Sequence, residues 1–133
     1  MLNSFPVNPV LPAQAGPRAR AFYRDVLGLT LLSGPDDDPM MFSAGDGTTI
    51  VVTEIPDRVP PSYPVVSFLV VDIEFVVLGL KARGAIFQPP QAGTFAGVAG
   101  VADGEIMNWG PVKSAFVRDT EGNILALNEI VEP

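Results

Sequence analysis

Short runs of alternating apolar and polar residues fill most of this chain, and twice the alternation gives way to a helical period at the same point in the order. Phe5 to Leu11 reads as a strand. Gly16-Pro17 then opens a helix with proline at its first position, Ala19, Phe22 and Val26 fall on one face of it, and Gly28 closes it. Three strands follow, Leu29 to Leu32, Met40 to Ala44 and Thr48 to Glu54, split by the turns Gly34-Pro35-Asp36-Asp37-Asp38 and Gly45-Asp46-Gly47. The order restarts at Val65 to Val71, a strand, with Asp72 as N-cap of a helix over Ile73 to Arg83 and Gly84 as its C′ residue. Ala85 to Gln88, Val112 to Arg118 and Ile124 to Ile130 complete the second set.

Between the two sets, Ile55-Pro56-Asp57-Arg58-Val59-Pro60-Pro61-Ser62-Tyr63-Pro64 cannot be helix or central strand, because each proline fixes φ and removes a donor. The pattern predicts one domain over residues 1–133, with module one at 1–55, a linker at 56–64 and module two at 65–133. A chain of 133 residues buries roughly two thirds of its unfolded surface in a single core. Pro89 to Pro111 is the irregular stretch, with five glycines among Phe95, Val98, Val101, Ile106, Met107 and Trp109. It reads as a loop that packs over a site as a lid, with Trp109 as a flat surface for a ring-bearing ligand. The second helix is apolar on two sides, Ile73, Val76, Val77 and Leu80 on one and Phe75, Leu78, Gly79 and Ala82 on the other. One side covers its own sheet; the other is spare for a partner subunit or for the long loop.

Composition then narrows the chemistry. The chain has no histidine and no cysteine, which removes thiolate chemistry, disulfides and the commonest general base and metal ligand together. Eight Lys+Arg against fifteen Asp+Glu give a net charge of -7, which opposes a phosphate backbone and argues against nucleic acid. The longest apolar stretch, Val65 to Val71, is too short to span a bilayer, and the N-terminus lacks a signal-peptide pattern, so the expectation is a cytoplasmic protein with no membrane role.

Two motifs add a resemblance. Arg20-Ala21-Phe22-Tyr23-Arg24-Asp25-Val26-Leu27-Gly28-Leu29 and Phe116-Val117-Arg118-Asp119-Thr120-Glu121-Gly122-Asn123-Ile124-Leu125-Ala126-Leu127-Asn128-Glu129 resemble the helix and last turn of the vicinal oxygen chelate superfamily of glyoxalases, bleomycin resistance proteins and extradiol dioxygenases. Thr120 stands where that turn usually has proline, while Gly122 still supplies the left-handed position. The resemblance implies an α+β fold: two β-α-β-β-β modules form a curled mixed sheet around a cup, with the helices on the outside. It also implies four metal-ligand positions, usually His or Gln, Glu, His and Glu. Carried over by counting, they fall on Asn8, fourteen residues before Phe22, near Val51, near Val65 and on Ala126. Only Asn8 has a side-chain oxygen, and one amide does not hold a divalent ion that wants four to six ligands. The expected set of metal ligands and cofactors is therefore empty. Glu54 and Glu129 lie close by, but alternation places them on the side of the core-facing Ile50, Val52, Leu125 and Leu127 or off the strand ends.

The same alternation adds Val10, Thr49, Val51, Thr53, Ser67, Leu69 and Asn128 to Asn8 as cup lining, with Trp109 at the mouth. None of these side chains titrates near neutral pH, and such a lining suits binding better than proton transfer. The expected function is metal-free binding of a small molecule, an antibiotic or another cationic or aromatic ligand, by a homodimer. The alternative is a lyase, isomerase or dioxygenase whose metal sits on Glu54, Glu129 or Glu105. A third reading is an accessory module with no small ligand.

Overall fold

The computed structural model describes residues 1–90, 93–95 and 97–131. The chain forms two compact units, Met1–Pro60 and Pro61–Pro133, and the boundary falls inside the proline-rich stretch. Each unit repeats one topology, a strand, a helix and further strands, in which the first strand lies parallel to the last.

In the first unit β1 (Val10–Ala13) pairs parallel with β4 (Thr49–Glu54), and β3 (Met40–Ser43) and β2 (Thr30–Leu31) extend the sheet antiparallel in the order β1-β4-β3-β2. The first strand starts later than its sequence suggests: residues 2–4 make a single 3₁₀ turn, and Pro6 and Pro9 withhold the donors a ladder needs. Helix α1 (Gly16–Ala21) runs on into a wider π-helical turn over Phe22–Val26, where the Leu27 N–H reaches back to the Phe22 carbonyl. Phe22 and Tyr23 are both buried there, Tyr23 against Phe42 with ring centroids 5.6 Å apart. Leu11, Ala13, Met40, Phe42, Ile50 and Val52 complete this core.

In the second unit β5 (Pro64–Leu69) pairs parallel with β12 (Ile124–Ile130), which pairs antiparallel with β11 (Val112–Arg118). Helix α2 (Ile73–Ala82) lays Ile73 and Val77 on Ala115, Leu127 and Ile106, with Phe68, Val76, Leu80 and Phe87 packed around them. Gly84 closes it at φ 93°: its N–H bonds to the Lys81 carbonyl, and the Ala85 N–H bonds to that of Leu80.

The stretch expected as one irregular loop carries four short strands. β9 (Val101–Asp103) and β10 (Ile106–Asn108) form a hairpin turning at Gly104, and β10 joins β11 through Met107 beside Ser114. β6 (Ile86–Phe87) pairs with the other end of the same β11 edge, and β7 (Thr94–Phe95) and β8 (Val98–Ala99) make a separate small hairpin. The glycines at 104 and 110 mark strand turns here and hide the alternation from a linear reading. Residues 91, 92 and 96 of the expected lid lie outside the described residues.

The turn between β11 and β12 is tied by its own side chains. Asp119 Oδ1 accepts from the backbone N–H groups of Glu121 and Asn123 at 2.8 and 2.7 Å, and Oδ2 accepts from Asn123 Nδ2 at 2.7 Å. This network does what proline does in the related motif: it fixes the turn without needing a locked φ at Thr120.

Each helix N-terminus receives a glutamate from the end of the last strand of its own unit. Glu54 Oε2 accepts from Gly16 N at 3.1 Å, and the approach is close enough that a Cβ on Gly16 would stand 2.6 Å from that oxygen. Glu129 spans the start of α2, Oε2 accepting from Asp72 N and Oε1 from Ile73 N, each at 3.2 Å. Replacing Glu129 by Ala should cost about 1 kcal/mol in urea unfolding, with Glu129→Gln losing less because one acceptor remains. Equal stability of wild type and Glu129→Ala would show that this cap is idle.

Candidate functional site

The register decides which residues share the face of the second sheet turned away from α2. Leu127, Ala115 and Phe68 lie under the helix, so their strand neighbours Ala126, Asn128, Ser114, Phe116, Ser67 and Leu69 point to the opposite side. Across the strands Ser67 stands beside Ala126 and Ala126 beside Phe116; one step on, Leu69, Asn128, Ser114 and Met107 form a row. Ser114 Oγ donates to Asn128 Oδ1, and Asn128 Nδ2 donates to Ser67 Oγ at 2.6 Å. The amide thus bridges two serines on different strands, and the Ser67 proton and one Asn128 N–H are left over for another acceptor.

Beside this row lies a cavity of about 230 Å³ walled by Ser62, Pro64, Gln88, Pro89, Gly93, Trp109, Phe116 and Ile124. Trp109 is held in place rather than merely adjacent. Its backbone N–H bonds to the Val112 carbonyl at 3.0 Å, and its indole N–H makes a long bond, 3.4 Å, to the Gly93 carbonyl. Gly100 also donates to that carbonyl, and a Cβ on Gly100 would stand 2.6 Å from both Trp109 Nε1 and Met107 Sδ.

In the first unit the equivalent face carries Val10, Thr49, Val51 and Thr53, with Val10 beside Val51 and Met41 on the far side of Val51. Asn8 lies ahead of β1 on exposed chain. The sequence-predicted residues therefore fall into two groups, Val10, Thr49, Val51 and Thr53 on one sheet and Ser67, Leu69 and Asn128 on the other, with Trp109 at the cavity of the second unit. Ser114 and Phe116 were legible from the alternation of β11; Gln88 and Ser62 reach the cavity from strand ends, which no periodicity encodes.

The register also shows which residues neighbour the counted metal positions. Val51 lies beside Val10, and Ala126 beside Ser67, so in both units the first-strand neighbour is two residues beyond the counted Asn8 and Val65. Valine, valine, serine and alanine do not make a ligand set for a divalent ion. The nearby carboxylates are engaged on the other face: Glu54 and Glu129 cap the helices, and Glu105 pairs with Lys81. Among the described residues no three of His, Cys, Asp and Glu gather in a cluster that could hold a metal.

The displaced charges lie around α2. Lys113 bonds Glu74 at 2.8 Å and Lys81 bonds Glu105, and these hydrogen bonds hold the Glu74 and Glu105 carboxyls below their ordinary range. Stability from these exposed pairs is present above that range and is lost as pH falls through the lowered values.

A family model described as the Glyoxalase/Bleomycin resistance protein/Dioxygenase superfamily matches residues 8–127. Among solved structures, a glyoxalase/bleomycin resistance protein/dioxygenase from Alicyclobacillus acidocaldarius is 20% identical with a TM-score of 0.67, covering 95% of this chain and 91% of that one. A lactoylglutathione lyase from Agrobacterium tumefaciens is 18% identical with a TM-score of 0.64, covering 95% and 93%. A glyoxalase/bleomycin resistance protein from Catenulispora acidiphila is 19% identical with a TM-score of 0.63, covering 94% and 97%. At such identities the likeness is one of fold. No functionally curated protein matches the chain.

The serine–asparagine bridge gives a direct test. Asn128→Leu should cost about 1 to 3 kcal/mol in chemical unfolding, because the buried Ser114 hydroxyl loses its acceptor. A second change, Ser114→Ala, should recover part of that loss; additive costs would mean the bond contributes nothing.

Proposed function

We propose, from the premise that this chain belongs to the glyoxalase/bleomycin resistance protein/dioxygenase superfamily, that it binds a small molecule without a metal ion and without changing it chemically. One observation carries the reading: of the positions that the family resemblance implies for metal ligands, Asn8, Val51, Val65 and Ala126, only Asn8 has a side-chain oxygen, the strand neighbours Val10 and Ser67 add one hydroxyl, and Glu54 and Glu129 are engaged at helix N-termini. What remains on the helix-averted faces is apolar surface with neutral hydroxyls and amides and, at the end of β11, the permanently charged Arg118, a set that orients a ligand and offers no group to take or give a proton at neutral pH. The ligand class is aromatic or cationic, since Trp109 and Phe116 wall the cavity and a net charge of -7 raises the local concentration of cations. An antibiotic with a ring system is one ligand of this kind.

Elemental analysis of protein purified without chelator should show far less than one metal per chain, and a thermal-shift screen should find aromatic ligands that stabilise the wild type and stabilise Trp109→Ala less. Stoichiometric zinc, nickel, iron or manganese, with loss of stability on chelation, would favour the metal-dependent lyase, isomerase or dioxygenase instead.

The reading includes a homodimer. Phe75 and Leu78 are 73% and 67% exposed on the side of α2 away from its sheet, and leaving such surface in water forfeits roughly 25 cal/mol per Å². Gly79 on the same helix has open space around its missing Cβ, so no contact among the described residues explains its cost in a helix. Sedimentation at micromolar concentration should give a dimer for the wild type and a folded monomer for Phe75→Asp with Leu78→Asp. A monomeric wild type would end this part of the proposal.

A further inference from the structure

The cavity beside Trp109 is lined by no charged side chain, whereas a second recess of about 340 Å³, which shares Gln88 and Pro89 with it, adds Arg118. Its walls are the rings of Trp109 and Phe116 with Ile124, Pro64 and Pro89, and its polar side chains are Gln88 and Ser62. Among the described residues neither side chain has a hydrogen-bond partner, although the Gln88 backbone is fixed to β11 by its N–H bond to the Phe116 carbonyl at 2.8 Å. A carboxamide presents a donor and an acceptor side by side. The group that satisfies both at once is another amide-type edge, with its own acceptor and donor adjacent.

Size sets the second limit. An apolar cavity of about 150 Å³ accepts benzene, whereas sites for drug-sized ligands begin at about 300 Å³. The present cavity, about 230 Å³ and open on one side, encloses one ring and one small substituent and leaves anything larger in solvent. Charge sets the third, since an ionised group on the enclosed part of the ligand would find no counter-charge among the residues of this lining. We propose that this cavity selects a single uncharged aromatic ring bearing an amide-type edge, such as an aryl carboxamide, a lactam or a pyridone, with Gln88 reading the edge and Trp109 and Phe116 holding the ring. This rests on the chain being a small-molecule binder, and it replaces "aromatic or cationic" by a neutral class for this cavity.

Trp109 is the only tryptophan in the chain, so its fluorescence reports on the cavity wall directly. Four probes of nearly equal shape decide the matter: benzamide, toluene, benzoate and benzamidine. Benzamide should perturb Trp109 saturably at millimolar concentration, with about tenfold higher affinity than toluene and at least that over the two ions. Gln88→Leu should abolish the advantage of benzamide over toluene while keeping toluene binding, which separates loss of edge recognition from loss of the fold. Gly100→Ala, which pushes on Trp109 and Met107, should weaken benzamide and toluene alike. A preference for benzamidine or benzoate, or a benzamide preference that survives Gln88→Leu, would overturn the assignment while leaving small-molecule binding intact. If no probe perturbs Trp109, and the broader thermal-shift screen also finds no ligand, both readings fall together.

Discussion

A carboxylate at the end of the last strand holds the start of the helix in each unit, and much of the molecule's chemistry follows from where those two side chains point. Glu54 and Glu129 can reach the N-termini of α1 and α2 only if they lie on the helix side of their sheets. Because strand side chains alternate, that fixes Val51 and Ala126 on the opposite side, beside Val10 and Ser67. The contact is therefore both a structural cap and a statement about the site. The anions that a metal centre would need are consumed by peptide N–H groups, where the helix dipole favours them.

The second consequence is a division of polarity between the faces. The ion pairs Lys113–Glu74 and Lys81–Glu105 flank α2 on the helix side, and the buried turn network of Asp119 and Asn123 sits at the strand ends. The helix-averted face of the second sheet carries the Ser67–Asn128–Ser114 bridge and the aromatic cavity, with one charge, Arg118, at the far end of β11. In a chain with fifteen acidic residues, an uncharged recess is not what composition alone would suggest.

Much of this was legible in the sequence. Strands 112–118 and 124–130 follow directly from their alternation, the second helix from its period, its Asp72 cap and Gly84, and the family from two motifs. The phase of Glu54 and Glu129 was also legible, because Ile50, Val52, Leu125 and Leu127 mark the core side. Their role as caps was not, since a contact spanning 38 or 56 residues leaves no trace in local spacing. The segment from 89 to 111 misled for a physical reason: strands of two or three residues are too short to show a period, and the glycines that turn them resemble the glycines of a loop. Gln88 and Ser62 stayed hidden because strand ends, not strand faces, bring them to the cavity.

The central claim is that the face opposite the helices binds its ligand without a metal. Amide NMR of chelator-treated protein, titrated with an aromatic ligand identified by screening, tests it most directly. Saturable shifts clustered on Gln88, Trp109, Ser114, Phe116 and Asn128, unchanged when a divalent metal is added, are the predicted result. Shifts that are absent until metal is supplied, and that then centre on Val51, Glu54, Ala126 and Glu129, would contradict it.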